Sequence, residues 1–227
     1  MSDRPDSRGE CGLQFFGKMT ASISHEIKNV LSIINENAGL LEDLTVMAER
    51  GRPIDPQRLN TLSQTVMKQI RRADTIIKNL NRLAHSADES HKSVDLNDTL
   101  ELVVNLSQRF ASMRRVTLQP KLQEHPMMIK TFPFLLMNLI WLCLDFAMNV
   151  TGDRKMVELI PQKTENGAQI RLGGIDSLTP SLMDVFPSES AKGLLDLLNA
   201  ELVVSVEKKE IVVKLERSPI SNECENV

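Results

Sequence analysis

The sequence predicts an α+β protein in which a long N-terminal helical hairpin precedes a mixed α/β region. Three observations support this fold class. Apolar residues recur every three, four or seven positions through most of the first 87 residues, a segment with two prolines and a glycine interrupts them at 51–56, and alternating apolar positions appear after residue 93. The expected divisions are a disordered N-terminus (1–12), the hairpin (13–87), an α+β domain (93–217) and a disordered tail (218–227).

Each helix of the hairpin carries an apolar stripe. The first helix is predicted from Leu13 to about Glu49, a span without proline. Its stripe consists of Ile23, Ile27, Val30, Ile34, Leu41 and Leu44. The second helix has a similar stripe, which consists of Leu59, Leu62, Val66, Ala73, Ile77, Leu80 and Ala84. Two long helices joined by a short turn form an antiparallel hairpin.

The stripes are too extensive for one hairpin to bury. Each large apolar side chain that becomes buried contributes about 1.5–3 kcal/mol, so several exposed ones favour pairing with another hairpin. A second copy, related by a two-fold axis, would complete a four-helix bundle, and the sequence therefore predicts a homodimer. The alternative is that the C-terminal half of the same chain covers the stripes.

The sequence pattern of the second half of the chain predicts shorter helices and strands. A helix opens at Val94–Asn97, with Asn97 as its N-cap, and runs to about Arg114. The other predicted elements are an edge strand (116–122), a buried helix (134–150), strands at 156–160 and 168–172 around a turn at 165–167, a helix (188–200), and a hairpin of strands at 201–206 and 210–215. This mixture is typical of an α+β domain.

The composition excludes several classes of protein. A formal net charge of −3 and a pI near 5.9 provide no overall basic field, so we expect no nucleic-acid partner and no membrane insertion. The cysteines at 11, 143 and 224 are odd in number and far apart, which predicts reduced thiols and a cytoplasmic location. The N-terminus lacks an apolar signal segment, and proline, asparagine and aspartate interrupt the apolar run 132–148.

His25 is the most distinctive polar residue of the first helix. It lies two positions from both Ile23 and Ile27, which is about 200° of helix, so its imidazole points away from the apolar stripe. A neutral imidazole nitrogen is a nucleophile, and the adjacent Glu26 carboxylate is placed to fix its tautomer or accept its proton. This is the chemistry of a phosphorylatable histidine, although composition alone favours an ordinary surface residue.

Residues one helical turn from His25 define its surroundings. Ser22 lies three positions before it and Asn29 four positions after it, and both are predicted neighbours. Because position 29 is Asn, the zinc-protease pattern H-E-x-x-H is absent. The other histidines, at 85, 91 and 125, have no metal-ligand spacing, so the sequence predicts no metal site.

The run from Phe16 to Asn29 resembles the H-box of sensor histidine kinases. In that family a phospho-accepting histidine is followed by Glu and, four residues after the histidine, by Asn or Thr, as at His25, Glu26 and Asn29. The resemblance covers the hairpin 13–87 and implies that His25 accepts a phosphoryl group. Val30 departs from the family, which often has proline at this position.

The segment Ser93–Asn97 resembles the start of the same family's ATP-binding domain, which implies an α/β sandwich of that type. Three nucleotide-binding motifs are degenerate. The family's magnesium-binding Asn falls on Phe146, the Asp-x-Gly-x-Gly motif is reduced to Leu172–Asp176 without its leading Asp, and the glycine-rich lid retains only Gly193. A phosphate site needs freed backbone N–H groups and a magnesium site needs oxygen ligands, so we expect no ATP binding and no cofactor in this chain.

An intact acceptor histidine beside a degenerate nucleotide domain resembles the dimeric histidine phosphotransferases of phosphorelays. The resemblance implies that His25 takes a phosphoryl group from an aspartate of one response-regulator receiver domain and passes it to another. Mg²⁺ would be held by the receiver's acidic pocket. The predicted docking residues are Ser22, Lys28, Lys68, Arg71 and Arg72, although basic side chains on a helix are as often merely solvated.

Three alternatives to phosphotransfer are open at this point. Glu26 and Asn29 also resemble the Glu-x-x-Asn pattern of kinases that dephosphorylate their regulators, in which the amide orients water. A dimeric pseudokinase that binds receivers without transfer is the non-catalytic alternative. ATP-dependent autophosphorylation is the least favoured.

Overall fold

The structure is a computed structural model that describes residues 7–88 and 90–216, with side chains described from residue 11. The described residues form two compact units. One unit comprises residues 18–84, and the other combines residues 7–17 with the chain from residue 85 onward. The predicted disordered tail 218–227, the cysteine at 224 and residues 1–6 lie outside the described residues.

The helical unit is built from α1 (Ser7–Glu49) and α2 (Pro56–Asp88). The chain leaves α1 through Gly51, whose positive φ of 79° suits a residue without a side chain. Asp55 caps the N-terminus of α2, because its Oδ1 accepts a hydrogen bond of 2.9 Å from the Gln57 N–H. Pro56 is tolerated as the first helical residue, where no N–H is required.

The helical unit has a buried face and a second apolar face that is exposed. The buried face includes Ile23, Val30, Leu44, Leu62, Ile76 and Leu83. Leu31, Ile70 and Ile77 remain 56%, 48% and 48% exposed. The predicted stripe of α2 contained Ile77, whereas the structure buries its neighbour Ile76. Since consecutive helical residues are about 100° apart, Ile77 points to a different side of α2.

The α/β unit contains two sheets and three complete helices. The helices are α3 (Leu96–Arg114), α4 (Pro133–Asn149) and α5 (Glu189–Leu198). The strands are β1 (Lys92–Asp95), β2 (Thr117–Pro120), β3 (Met128–Thr131), β4 (Met156–Thr164), β5 (Gly167–Gly173), β6 (Ala200–Ser205) and β7 (Glu210–Glu216). β1 and β3 form a two-stranded sheet, and the five-stranded sheet has the order β2-β4-β5-β7-β6. Only the β2-β4 pairing of the larger sheet is parallel among the described strands.

The start of α3 differs from the prediction. Its N-cap is Asp95, not Asn97, because the Asp95 carboxylate accepts a hydrogen bond of 3.0 Å from the Asn97 N–H. The same oxygen accepts a 2.9 Å bond from the Met127 N–H. Asn97 is buried, and its Nδ2 donates to the backbone oxygens of Gln123 and His125. The two side chains therefore fix the loop before β3.

Helix α4 forms the core of the α/β unit. Leu136, Leu139 and Cys143 are completely buried on one side of the helix, and Met137 and Trp141 are at most 2% exposed on another. A helix that is apolar all round belongs in a protein core or a membrane. None of the described helices combines the length and apolar character that a bilayer crossing would need.

The first residues of α1 belong to the α/β unit, where they pack against α4. The Phe15 and Phe134 rings have centroids 5.5 Å apart, and Asn138 Nδ2 donates a hydrogen bond of 3.4 Å to Cys11 Sγ. Phe15 is only 2% exposed. The prediction of disorder over 1–12 is therefore wrong for residues 7–12, because a distant helix supplies a partner for this turn of α1.

Candidate functional site

The candidate site lies on an exposed side of α1. His25 and Asn29 are both exposed, whereas Ile23 and Val30 are buried, so the imidazole and the carboxamide share a polar side of the helix. Four positions separate the two residues by about 40° around the helix and about 6 Å along it. Within the described part of the chain, His25 makes no hydrogen bond, which leaves its ring nitrogens open to a reacting group.

The Glu26 carboxylate is directed to the second helix. Its Oε2 lies 3.4 Å from Arg72 Nη2, and its side chain is 17% exposed against 51% for Arg72. The pair fixes α1 and α2 in register beside His25. Partly exposed pairs of this kind contribute about 0–1 kcal/mol to stability. The Glu26–Arg72 pair therefore matters more for positioning the two helices than for stabilising them. Glu26 was predicted to assist the imidazole, but its carboxylate pairs with Arg72 instead in this structure.

Ser22 is not part of the exposed site. It is only 1% exposed, and its hydroxyl oxygen is buried without a hydrogen-bond partner among the described residues. The predicted docking role of Ser22 is therefore wrong for this structure. The spacing within α1 does not explain this burial, because Ser22 and the exposed Asn29 are seven positions apart and differ by only about 20° around the helix. The burial of Ser22 depends instead on what packs against this turn of α1.

Basic side chains occur on both helices of the site. Lys28 on α1 and Lys68, Arg71 and Arg72 on α2 are exposed, as the docking prediction requires. Arg72 differs from the others because its guanidinium is already engaged by Glu26. The site therefore offers an imidazole, a carboxamide and a predominantly positive rim. In the described chain no cluster of three or more histidine, cysteine or acidic residues has the arrangement of a metal site.

Sequence reasoning missed two features of the helical unit. The Glu26–Arg72 pair joins residues 46 positions apart, and no local pattern specifies which positions of two helices meet. Gln69 on α2 is 9% exposed, and its Oε1 is buried without a partner among the described residues. Gln69 lies midway between Leu62 and Ile76, seven residues from each. This spacing was the signal from which the burial of Gln69 could have been predicted.

The position of the expected magnesium ligand is filled by an aromatic contact. Phe146 stacks on Phe186 with ring centroids 4.2 Å apart and an interplanar angle of 11°. The neighbouring Asp145 is held by Arg114 at 2.7 Å. Phe146 and Asp145 therefore both have partners within the α/β unit, and neither offers an unpaired oxygen ligand.

The glycine-containing segment after β5 also has a structural role. Gly174 has a positive φ of 80°, and a side chain there would collide with the Met156 carbonyl. Asp176 pairs with Arg154 at 3.2 Å. The close approach of two backbones explains the glycine without a phosphate group.

Comparisons with known proteins give matches only among solved structures. No family model matches the chain, and no curated protein matches it. The ATP-binding domain of PrrB from Mycobacterium tuberculosis is 16% identical, with a TM-score of 0.46 over 58% of this chain and 100% of that one. The Acinetobacter baumannii histidine kinase AdeS is 12% identical, with a TM-score of 0.46 over 86% of this chain and 98% of that one.

A third similar structure is the histidine kinase ThkA in complex with the response regulator protein TrrA. It is 14% identical, with a TM-score of 0.46 over 94% of this chain and 64% of that one. These identities and TM-scores leave the function to be inferred from the residues of the chain itself.

Proposed function

We propose that the chain is a histidine phosphotransfer protein of two-component signalling, in which His25 receives a phosphoryl group from a receiver-domain aspartate and donates it to another receiver. The observation that carries the proposal is the H-box-like run on α1 together with the exposure of His25. An acceptor must be reached by a partner's active site, and this imidazole is exposed and without hydrogen bonds among the described residues.

The transfer needs little chemistry from this chain. One imidazole nitrogen attacks the phosphorus of the aspartyl phosphate, an N–P bond forms, and the P–O bond to the receiver's carboxylate breaks. The carboxylate leaves as an anion, and the reverse sequence returns the phosphoryl group to a second receiver. Such reactions depend mainly on positioning and charge stabilisation. In this proposal Mg²⁺ belongs to the receiver's acidic pocket, and this chain supplies no cofactor.

The rim of the site favours an acidic partner. Lys28, Lys68 and Arg71 are exposed near the helix that carries His25. Lysine and arginine attract both phosphoryl oxygens and carboxylates, and they increase the rate of encounter with a negatively charged surface. The Glu26–Arg72 pair at 3.4 Å supports the proposal differently, because it holds the acceptor helix in register with this basic surface.

The second apolar face of the hairpin supports a homodimer. Leu31 on α1 and Ile70 and Ile77 on α2 are each about half exposed, although the side chains on the buried face are already covered. Exposed apolar faces of this kind are typical of interaction surfaces. A second hairpin packed on this face would form the four-helix bundle. His25 lies about 120° around α1 from Leu31, so it points away from this face.

The α/β unit supports a role without ATP. Phe146 stacks on Phe186, and Asp145 pairs with Arg114, so this region lacks an oxygen ligand at the expected place. In the proposal the phosphoryl group therefore comes from another protein and not from nucleotide.

A regulator phosphatase is the second candidate, and the exposed Asn29 favours it. Its carboxamide lies one helical turn from His25 on the same side of α1, where it is placed to orient a water against a receiver's aspartyl phosphate. A non-catalytic pseudokinase dimer is the remaining alternative, and it predicts binding of receivers without any change in their phosphorylation.

The direct test is incubation of the chain with candidate receiver domains carrying a radiolabelled phosphoryl group. Phosphotransfer predicts label on this chain that is lost in acid and retained in base, as expected for phosphohistidine. Loss of label from the receivers as inorganic phosphate, with none on this chain, would favour the phosphatase. Receivers that bind and stay labelled would favour the pseudokinase.

A further inference from the structure

Ser22 has a buried hydroxyl group that no described residue satisfies. The side chain is 1% exposed, and its Oγ makes no hydrogen bond within the described part of the chain. Leaving a buried polar group unpaired costs about 1–3 kcal/mol. Because nearly all buried polar groups in proteins have partners, an exception three residues before a candidate acceptor histidine requires an explanation.

Other hydroxyl groups in the helices of this chain avoid this cost. A serine or threonine inside a helix can donate to the carbonyl oxygen four residues before it. Bonds of this kind, of 2.6–3.1 Å, are made by Thr61, Thr65, Thr75, Thr99, Ser107 and Ser112. Ser22 makes no such bond to the Lys18 carbonyl oxygen, so its hydroxyl is not committed to the main chain of its own helix.

The imidazole of His25 lies one helical turn after Ser22. Residues three positions apart on a helix are neighbours, with Cβ atoms about 5–6 Å apart and about 60° between them around the axis. Helical side chains lean towards the N-terminus, so the side chain of His25 extends over the turn that contains Ser22. The ring makes no hydrogen bond among the described residues. A rotation about its own side-chain bonds can therefore bring Nδ1 within hydrogen-bonding distance of the Ser22 Oγ.

The Glu26 carboxylate is not available for the same contact. Its Oε2 lies 3.4 Å from Arg72 Nη2. Glu26 and His25 are also consecutive, so their side chains leave α1 about 100° apart. The group that orients the imidazole therefore has to come from one turn before or after it, where Ser22 and Asn29 lie. Asn29 is exposed, so water satisfies its carboxamide, whereas Ser22 has an unpaired buried oxygen.

The tautomer of His25 decides which ring nitrogen can react. A neutral imidazole carries a hydrogen on one nitrogen and a lone pair on the other, and the hydrogen bond made by one nitrogen fixes the state of both. When Nδ1–H donates to an oxygen acceptor, Nε2 keeps the lone pair. Nε2 is the nitrogen further from the helix, where a partner's phosphoryl group has access. An acceptor beside Nδ1 thus prepares the ring for attack on phosphorus.

We propose that Ser22 is a positioning residue for phosphoryl transfer, whose Oγ accepts a hydrogen bond from Nδ1–H of His25. The inference rests on the proposed role of His25 as the acceptor. In the transfer step Nε2 forms the N–P bond with its lone pair, the P–O bond to the receiver's carboxylate breaks, and the electron pair of that bond leaves with the carboxylate. The hydrogen stays on Nδ1, and the ring becomes positively charged. Because charged donors make stronger hydrogen bonds than neutral ones, Ser22 stabilises the charged ring more than the neutral ring.

The tautomer can be tested without any receiver. ¹⁵N NMR distinguishes a ring nitrogen that carries a hydrogen from one with a lone pair, and His25→Gln identifies the His25 signals among those of the four histidines. At a pH where the ring is neutral, we expect the hydrogen on Nδ1 in the wild type and a larger fraction on Nε2 in Ser22→Ala. The control is Ser24→Ala, which removes an exposed hydroxyl about 100° from His25 and should leave the tautomer unchanged.

Two results of this measurement would overturn the proposal. One is a wild-type His25 with its hydrogen on Nε2, or with the same tautomer as in Ser22→Ala. The other is a tautomer that changes in Asn29→Ala but not in Ser22→Ala, which would assign the orienting role to Asn29.

The rate of transfer separates positioning from a structural role. Ser22→Ala removes an unpaired hydroxyl, so we expect no loss of stability in urea unfolding. We nevertheless expect transfer from a phosphorylated receiver at saturating concentration to slow by about tenfold, because the charged ring loses a hydrogen bond. The receiver concentration at half-maximal rate should stay unchanged, since Ser22 is too buried to touch the receiver.

The two measurements distinguish failure of this inference from failure of the proposed function. A wild-type chain that transfers phosphoryl groups no faster than Ser22→Ala would refute the positioning role alone. A chain without any transfer, whatever its tautomer, would refute the proposed function and the inference with it. A tautomer that depends on Ser22, together with slower transfer in Ser22→Ala, supports both.

Discussion

The imidazole of His25 is the group on which the proposed transfer depends, and it has few packing contacts because it is exposed. We predict that His25→Gln abolishes phosphoryl acceptance and changes the free energy of unfolding by no more than about 0.5 kcal/mol, as is usual for surface substitutions. Labelling by phosphorylated receivers and urea unfolding measure the two effects. His85→Gln, at another exposed position of a hairpin helix, is the control, and label retained by His25→Gln would refute the site.

Asn29 distinguishes transfer from hydrolysis at the scale of one side chain. Transfer to the imidazole does not require an oriented water, whereas dephosphorylation of a receiver does. We predict that Asn29→Ala leaves transfer in both directions within about tenfold, a loss of at most about 1.4 kcal/mol, and suppresses any regulator dephosphorylation that persists in His25→Gln. If both activities disappear together, Asn29 belongs to the docking surface instead.

Cys143 gives the α/β unit a pH dependence. Burial raises the pKa of this thiol from 9.0 to about 12. The folded state therefore keeps a proton that the unfolded state loses between these values, so stability is complete below about pH 9 and decreases as the pH rises towards 12. We predict that Cys143→Ala is destabilised at pH 7 by the lost packing but loses less further stability than wild type between pH 8.5 and 10.5. Denaturant unfolding across this range measures it, and parallel curves would contradict it.

At the scale of the secondary-structure elements, the proposed homodimer depends on the second apolar face of the hairpin. We predict that Ile77→Glu converts a homodimer into a monomer, because a carboxylate would be placed in a surface where each buried apolar side chain contributes about 1.5–3 kcal/mol. Thr75→Glu, at an exposed polar position of the same helix, should remain dimeric. Sedimentation equilibrium decides between them. A wild-type chain that is monomeric at all concentrations would disprove the dimer.

The spacing of apolar residues predicted the elements that have a regular apolar pattern. It missed the elements that are fixed by residues distant in the sequence. The helices α1 and α2 and the turn at 165–167 between β4 and β5 follow local patterns, and the structure contains all three. Of the predicted stripe of α2, however, Leu62 is buried whereas Leu59 and Ile77 are exposed. The strands β1 and β3 have four residues each, and Lys92–Asp95 has no alternation from which pairing with Met128–Thr131 could be inferred.

For the candidate site, the sequence predicted the features that depend on spacing within α1 and missed the contacts between α1 and α2. The exposure of His25 and Asn29 follows from helical periodicity, because their spacing from Ile23 and Val30 fixes the side on which they lie. The pairing of Glu26 with Arg72 and the burial of Ser22 depend on how α1 meets α2. Such contacts depend on the relative position of two helices, which the spacing of residues within one helix does not determine.

At the scale of the whole molecule, the proposed function requires that phosphoryl groups come from proteins alone. We predict that ATP with Mg²⁺ neither binds nor leads to autophosphorylation, because Phe146 is stacked on Phe186 and Asp145 is paired with Arg114 where oxygen ligands would be needed. Isothermal titration calorimetry measures binding, with an ATP-dependent sensor kinase domain as positive control. A micromolar dissociation constant would contradict the prediction.

The packing of the start of α1 against α4 has a consequence for biosynthesis. Cys11 and Asn138, which are hydrogen-bonded in the finished protein, are separated by 127 positions. The N-terminal part leaves the ribosome first, so Phe15 and its neighbours emerge before the helix on which they pack has been made. Residues 18–84 emerge next and can pair as a hairpin. The α/β unit closes only after the chain that follows the hairpin has been made. During that interval the nascent chain exposes an apolar turn that chaperones or a premature partner can bind.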